Sequence, residues 1–436
     1  MNGSSGRDPG GIAIAYGRGH LPLRLPEHAT ATIIRKRALA KLPDSRAAIA
    51  AALERPIAAA PLQVLARGKA SACILICDIT RPVPNHLFLR PMIEAMVSAG
   101  IPLAAITVLV ATGLHRPNEG EELAELVGDP WVLANVRVEN HFARNDADHV
   151  DLGVTAKRGV PVKIDRRFVE AELRIATGLV EPRFMAGYSG GRKVVAPGVA
   201  HQDTIRTFHS ARFMEDPLAV QCNLEGNPLH EEQLDIVRRI GAIYALNTVQ
   251  DEDRDLAFVS FGEIIESHLA AVRFAAASCE VPVERRYQTV VTSAAGYPLD
   301  KTYYQTVKGM VTPLDILAPG GRLIIASECS EGFGSAEFRE AQARLVALGP
   351  DAFLAGLMVK RFADIDEWQT EMQLKPMRRG TVQLYTTGLG DEERRITGVD
   401  LIASLEAAVA ASIQASGDAA VAVIPEGPYV VPIHTG

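Results

Sequence analysis

Short apolar runs, each ending in a cluster of polar residues or glycines, limit most strongly what this chain can become. Ser71 to Cys77 reads as a fully buried strand that ends at Asp78. Ile106 to Ala111 reads as a second, ending in Thr112-Gly113-Leu114-His115-Arg116-Pro117. Leu173 to Ala176 is a third apolar run, and it leads to the glycine-rich stretch AGYSGGRK. Helical stretches lie between, one of them entered through a loop stiffened by Pro82 and Pro84 and left at Gly100. Alternation of strand, loop and helix is the pattern of a parallel sheet flanked by helices. Ligands on such sheets gather at the C-terminal ends of the strands. Asp78, Arg81, His115 and the glycine turn all fall at such ends.

The same pattern returns in the second half. A strand at Thr289 to Thr292 meets SAAGYPLDKTYYQTVKGM, where Gln305 and Lys308 share a helix face at i and i+3. Strands follow at Arg322 to Ala326, Thr381 to Tyr385 and Ala420 to Ile424, with a helix around Trp368. A chain of 436 residues predicts two or three domains. The expectation is an α/β protein of two α/β domains, 1–280 and 281–436, with mostly parallel sheets flanked by helices and the active site in the interdomain cleft.

Charge and cysteines narrow the function class. A net charge of −7 argues against nonspecific nucleic-acid binding, whose footprint is basic. Cys73, Cys77, Cys222, Cys279 and Cys329 are odd in number and scattered, which predicts a reducing cytoplasm rather than a disulfide framework. The N-terminal MNGSSGRDPGG is read as loose, with no signal peptide. Ala95 to Leu114 is uncharged and of membrane length, but Gly100-Ile101-Pro102 breaks it into a helix end, a turn and a buried strand, so no membrane span is expected. Asn140 to Gly153 mixes Asp and His without a firm metal-ligand spacing and reads as a solvent-side loop.

In the glycine turn, Gly187, Gly190 and Gly191 surround Ser189, and Arg192 and Lys193 follow at once. Residues without Cβ let backbone N–H groups close on an anion, so a phosphate-bearing ligand suits the turn. The order of a Walker loop is absent. A helix carrying His201 and His209 is expected next. Taken alone, these residues are equally compatible with a plain surface turn and a half-buried histidine.

Five short strings in order give a sharper reading: DITRP (Asp78 to Pro82), ATGLHRP (Ala111 to Pro117), AGYSGGRK (Ala186 to Lys193), His209, and GYPLDKTYYQTVK (Gly296 to Lys308). EWQ around Trp368 adds weaker support. With them the chain resembles the nickel-pincer-nucleotide-dependent lactate racemase family, the 2-hydroxyacid racemases and epimerases, over roughly Asp78 to Trp368. The resemblance implies the cofactor pyridinium-3,5-bisthiocarboxylic acid mononucleotide nickel, supplied by cofactor-making biosynthetic proteins, and a small hydroxy acid as substrate. It implies His209 as the protein ligand to nickel, completing a planar set suited to Ni(II). Lys193 would lie beside the cofactor. Asp78, Thr80, Ser189, Gly190 and Gly191 would hold its phosphate and ribose, with Gln305 assisting and Trp368 packed near its ring. His115 would be an acid/base, and Arg81 and Lys308 would bind the substrate carboxylate. The cofactor would perform a hydride transfer through a planar 2-keto acid. No nucleic acid and no membrane partner is expected, and a homodimer stays open.

One position departs from the family. A second acid/base histidine is expected ten residues before the lysine, at 193 − 10 = 183, and that residue is Arg183. A guanidinium stays protonated and cannot act as a base. Arg183 would then recognise an extra anionic group on a hydroxy acid other than lactate, with Tyr188 and His201 as nearby alternatives for the second base. The other readings are a one-sided 2-hydroxy acid dehydrogenase with His115 alone, and a non-catalytic cofactor carrier.

Overall fold

Two six-stranded sheets organise residues 11–251 and 253–436, which the structure, a computed structural model, describes. The first runs in the spatial order Leu256–Glu263, Tyr244–Gln250, Leu173–Leu179, Ala72–Cys77, Ile106–Ala111, Arg137–Asn140. Its pairings are parallel except that of Tyr244–Gln250 with Leu256–Glu263. Strands of this kind are covered on both faces, which is why Ala-Cys-Ile-Leu-Ile-Cys carries no charge. Ile74, Ile76, Val108 and Val110 turn to the face where the helix Asn85–Ser98 lays down Phe88, Leu89, Met92, Ile93 and Met96. Each such side chain, fully buried, contributes about 1.5–3 kcal/mol.

The second sheet is parallel throughout, in the order Asp400–Leu401, Thr381–Tyr385, Leu317–Ala326, Tyr287–Ser293, Ala420–Ile424, Thr30–Ile33. Leu405, Val409 and Ile413 of the helix Leu405–Ser416 pack on Val291, Ile324, Val421 and Val423. Ile14 and Leu23, from the hairpin Ile12–Tyr16 with Gly19–Leu23, complete that core. The α/β class with mostly parallel sheets is what the strand–loop–helix alternation predicts. Among the described residues no helix is long and apolar enough to cross a membrane.

The division of the chain corrects the expected cut at 280/281. One unit, the Lys193 unit, holds Ala38–Phe208 and Asp216–Ser278; the other, the His209 unit, holds the chain up to Arg37, His209–Glu215 and Cys279–Gly436. The reason is strand pairing: Thr30–Ile33 is hydrogen-bonded along Ala420–Ile424, which places the N-terminal segment in the later sheet.

Two local expectations also change. His201 and His209 flank the helix Gln202–Phe208 rather than sharing one. Asn140 to Gly153 is not a solvated loop throughout, because His141 and His149 are buried. Their rings meet edge-on at 5.1 Å, His149 meets His201 at 5.0 Å, and His141 Nδ1 pairs with Asp165 at 2.9 Å. Among the described residues no group of three or more His, Cys, Asp or Glu is arranged to hold a metal ion. The described residues begin at 11, so the N-terminal stretch expected to be loose lies mostly outside them.

Candidate active site

In the Lys193 unit the strand order reverses beside Ala72–Cys77: later strands run outward to Ile106–Ala111 on one side and Leu173–Leu179 lies on the other. Such a switch point opens a crevice at the C-terminal strand ends. Cys77 pairs with Ala111, so Asp78 and Thr112 leave the sheet side by side. The loop after Ile106–Ala111 carries His115, whose backbone N–H closes a turn on Thr112 O at 2.9 Å. Gly113 N–H donates to Gly198 O at 2.9 Å, which ties the His115 loop to the turn containing Lys193.

His115 Nδ1 lies 2.5 Å from Asp78 Oδ2, and Thr80 Oγ donates to Asp78 Oδ1 at 2.6 Å. The His115 side chain is 57% exposed and that of Asp78 only 7%. Burial alone would push the Asp78 carboxyl up. Hydrogen bonding and charge from His115, with the Thr80 hydroxyl, overcome this and hold it below its usual value. Both oxygens of Asp78 are therefore committed, as is the Thr80 hydroxyl hydrogen. Asp78 and Thr80, expected beside a nucleotide, here hydrogen-bond each other and orient His115 through its Nδ1.

Three cations surround this pair. Arg81 Nη1 donates to Thr80 O at 2.9 Å. Arg183 stands on a two-residue hairpin arm, Pro182–Arg183 against Gly187–Tyr188. Its guanidinium reaches Glu181 Oε1 at 3.1 Å, too poorly aligned to count as a hydrogen bond, and Nη2 is buried without a hydrogen-bond partner. Burial, then the charge of Arg81, pull Arg183 down to about 10, so it remains cationic at neutrality. Burial, then Arg183, Arg81 and Arg192, pull the Lys193 amine down to about 7. An orphaned guanidinium nitrogen and a crowded ammonium suit an anionic ligand, so this half of the site fits a phosphate- or carboxylate-bearing group.

The glycine turn itself does different work from that expected. Ser189 Oγ donates to Leu179 O at 2.7 Å and accepts from Glu181 N–H, leaving no hydrogen for a phosphate. Gly191 N–H is taken by Asn247 Oδ1 at 3.0 Å. A Cβ on Gly190 would stand 2.6 Å from Val180 Cγ2, and one on Gly191, at φ +48°, 2.7 Å from the His268 ring. These residues are glycines because backbone approaches strand and helix closely. Arg192 is a structural pin, bonded to Tyr188 O, Ala186 O and His230 Nδ1. Tyr188 is buried in the hairpin, and His201 is held against His149 and Asp146. The geometry places neither as a second base.

The remaining expected residues belong to the His209 unit. The His209 ring lies 4.5 Å from that of Trp368. Trp368 Nε1–H donates to Tyr304 Oη at 3.3 Å, and Lys308 Nζ donates to Gln305 Oε1 and lies over the Tyr304 ring. Thr302 caps the helix Tyr303–Val311 that presents Gln305 and Lys308. His209 therefore shares its unit with Trp368, Gln305 and Lys308, not with the first half of the chain as expected. Tyr304 was legible only as a helix neighbour of Lys308; its role as a bridge to Trp368 needs the fold.

Comparison with known proteins matches both halves of the chain. The model of the lactate racemase N-terminal domain matches residues 16–221, and that of the lactate racemase C-terminal domain matches 283–431. The chain is 34% identical over 329 residues to lactate racemase of Thermoanaerobacterium thermosaccharolyticum, covering 75% of this chain and 76% of that one. It is 32% identical over 384 residues to lactate racemase of Lactiplantibacillus plantarum, covering 87% and 89%. The solved apoprotein of the Thermoanaerobacterium enzyme superimposes with a TM-score of 0.89 at 28% identity, over 97% of this chain and 99% of that one. A Thermotoga maritima protein shares the fold at a TM-score of 0.61 and 17% identity, over 86% and 96%. With both halves matched and full-length relatives above 30% identity, the chain belongs to the lactate racemase family.

Proposed function

We propose that this protein is a nickel-pincer-nucleotide-dependent racemase or epimerase of a 2-hydroxy acid other than lactate. The observation that carries the reading is the Asp78–His115 pair at a strand switch point beside Arg81, Arg183 and Lys193. With Nδ1–H directed to Asp78, His115 offers Nε2 to the substrate hydroxyl and takes or returns its proton. Arg81 and Lys308 bind the substrate carboxylate, the first by a two-pronged contact and the second as a point charge. Arg183 receives a further anionic or polar group, which separates the substrate from lactate. Lys193 and His209 would hold the cofactor, with Trp368 against it. When bound, that cofactor supplies acceptance and return of hydride at the substrate C2.

The test uses cofactor-loaded protein, a panel of C2-deuterated hydroxy acids and chiral analysis of the products. Inversion with deuterium retained is the expected result, strongest for substrates with a second anionic group. Loss of deuterium to solvent sinks the hydride step. Arg183 in place of a second imidazole favours one other reading, a one-sided dehydrogenase; release of keto acid without inversion would establish it. Cofactor retention without any turnover would leave a carrier.

A further inference from the structure

After His209–Glu215, whose Ala211 packs among Leu345, Phe353, Leu357 and Leu374, the chain returns to the Lys193 unit at Asp216. There it closes on the hairpin that carries Arg183. The turn of that hairpin, Phe184-Met185-Ala186, holds Met185 at φ +62° and only 8% exposed. In this left-handed region Cβ crowds the backbone, so a non-glycine residue persists there only when its surroundings over-determine it. Here they do. Met185 O accepts from Asn227 Nδ2 at 2.9 Å, and Gly187 O from the N–H of Cys222 at 3.0 Å. Ala186 O and Tyr188 O accept from the Arg192 guanidinium. Every carbonyl from Met185 to Tyr188 is thus held by a group outside the hairpin.

Asn227 is 0% exposed, and its amide is used at both ends. Nδ2 also donates to Asn223 O at 3.0 Å, while Oδ1 accepts from the N–H groups of Leu229 and His230 and caps the helix Pro228–Ile240. A Cβ on Gly187 would stand 2.4 Å from Asn223 O, so the hairpin and this loop meet backbone to backbone. Arg183, on the same arm, is in the opposite condition: its Nη2 is buried without a hydrogen-bond partner. On a loose arm that nitrogen would turn toward water or a carboxylate. We infer that Asn227 is a positioning residue for Arg183: by holding Met185 in its left-handed turn, it keeps the guanidinium unsatisfied and in place for an anion. A receptor fixed before its ligand arrives loses less on binding.

The link to substrate choice rests on reading Arg183 as the contact for a second anionic group; the grip on the hairpin does not. Calorimetric titration of the full-length protein with inorganic phosphate tests the inference as a double-mutant cycle. Asn227→Ser keeps an oxygen to cap the helix but is too short to hold Met185 O as well. It should weaken phosphate binding about tenfold, Arg183→Gln should weaken it at least as much, and the two together no more than Arg183→Gln alone. Asn227→Asp, which keeps the cap and loses the donor, serves if the serine variant fails to fold. In turnover, Asn227→Ser should raise KM about tenfold for hydroxy acids with a second anionic group and leave kcat and small monocarboxylates little changed. A merely structural defect would lower kcat for all of them alike. A wild type that binds no phosphate, an Asn227→Ser protein that binds it as the wild type does, or a loss of equal size in the Arg183→Gln background overturns the inference. Coupling as expected in a protein that inverts no hydroxy acid overturns only the functional reading.

Discussion

Asp78 commits one carboxylate oxygen to His115 and the other to Thr80, and under the proposed function this decides which imidazole nitrogen meets the substrate. An amide at this position keeps the size but can present N–H to Nδ1 and reverse the tautomer. Asp78→Asn should therefore lower kcat by about a hundredfold or more, the range of general acid–base catalysis, with KM little changed, as steady-state kinetics would read. Lys193 gives a prediction free of turnover. Its amine is drawn down to about 7, so between about 7 and 10.5 the unfolded chain binds the extra proton and stability rises with pH. An anion that neutralises the three cations removes the same penalty. Inorganic phosphate should raise the melting temperature of the wild type and leave Lys193→Gln nearly unaffected, as calorimetry would show. Arg183→His should shift substrate preference toward small monocarboxylates, measured as the ratio of kcat/KM values across the hydroxy acid panel.

Elements were more legible than the contacts between their loops. Ile106–Ala111 and Ala420–Ile424 have the bounds their apolar runs predict, because a strand largely buried on both faces leaves an uninterrupted hydrophobic signature. Thr381–Tyr385 also has its expected bounds, with buried Val382 and Leu384 alternating with less buried neighbours. The pairing of Asp78 with His115 was hidden because its signal is lateral: it depends on the register that sets Cys77 beside Ala111, which no local spacing encodes. The glycine turn shows the opposite failure. Its composition suggested an anion cradle, but Asn247 and Glu181 come from distant or facing chain and take its polar groups. Gly191→Ala sets the two accounts apart. A methyl 2.7 Å from the His268 ring at positive φ should destabilise the protein by about 2–4 kcal/mol, read by urea denaturation. An unchanged midpoint with weakened anion binding would restore the cradle.

Across the whole chain, sequence order and unit membership part company, and this has a consequence for folding. Thr30–Ile33 extends the sheet beyond Ala420–Ile424, while Ile14 and Leu23 are 0% and 1% exposed inside the same core. No strand ahead of Ser71 was expected from the sequence, and nothing local could name for Thr30–Ile33 a partner almost four hundred residues away. Burial of Ile14 and Leu23 contributes about 3–6 kcal/mol together, a large share of the roughly 5–15 kcal/mol that separates folded from unfolded domains. A fragment of residues 279–436 loses both side chains, an edge strand and the packing of Ala211, and it exposes the unpaired flank of Ala420–Ile424 to aggregation. It should show no cooperative thermal transition by circular dichroism. Residues 11–37 joined ahead of 279 through a flexible linker should restore one. A sharp transition in the shorter fragment would mean that the later sheet carries its own core and that the N-terminal strand is an accessory to it.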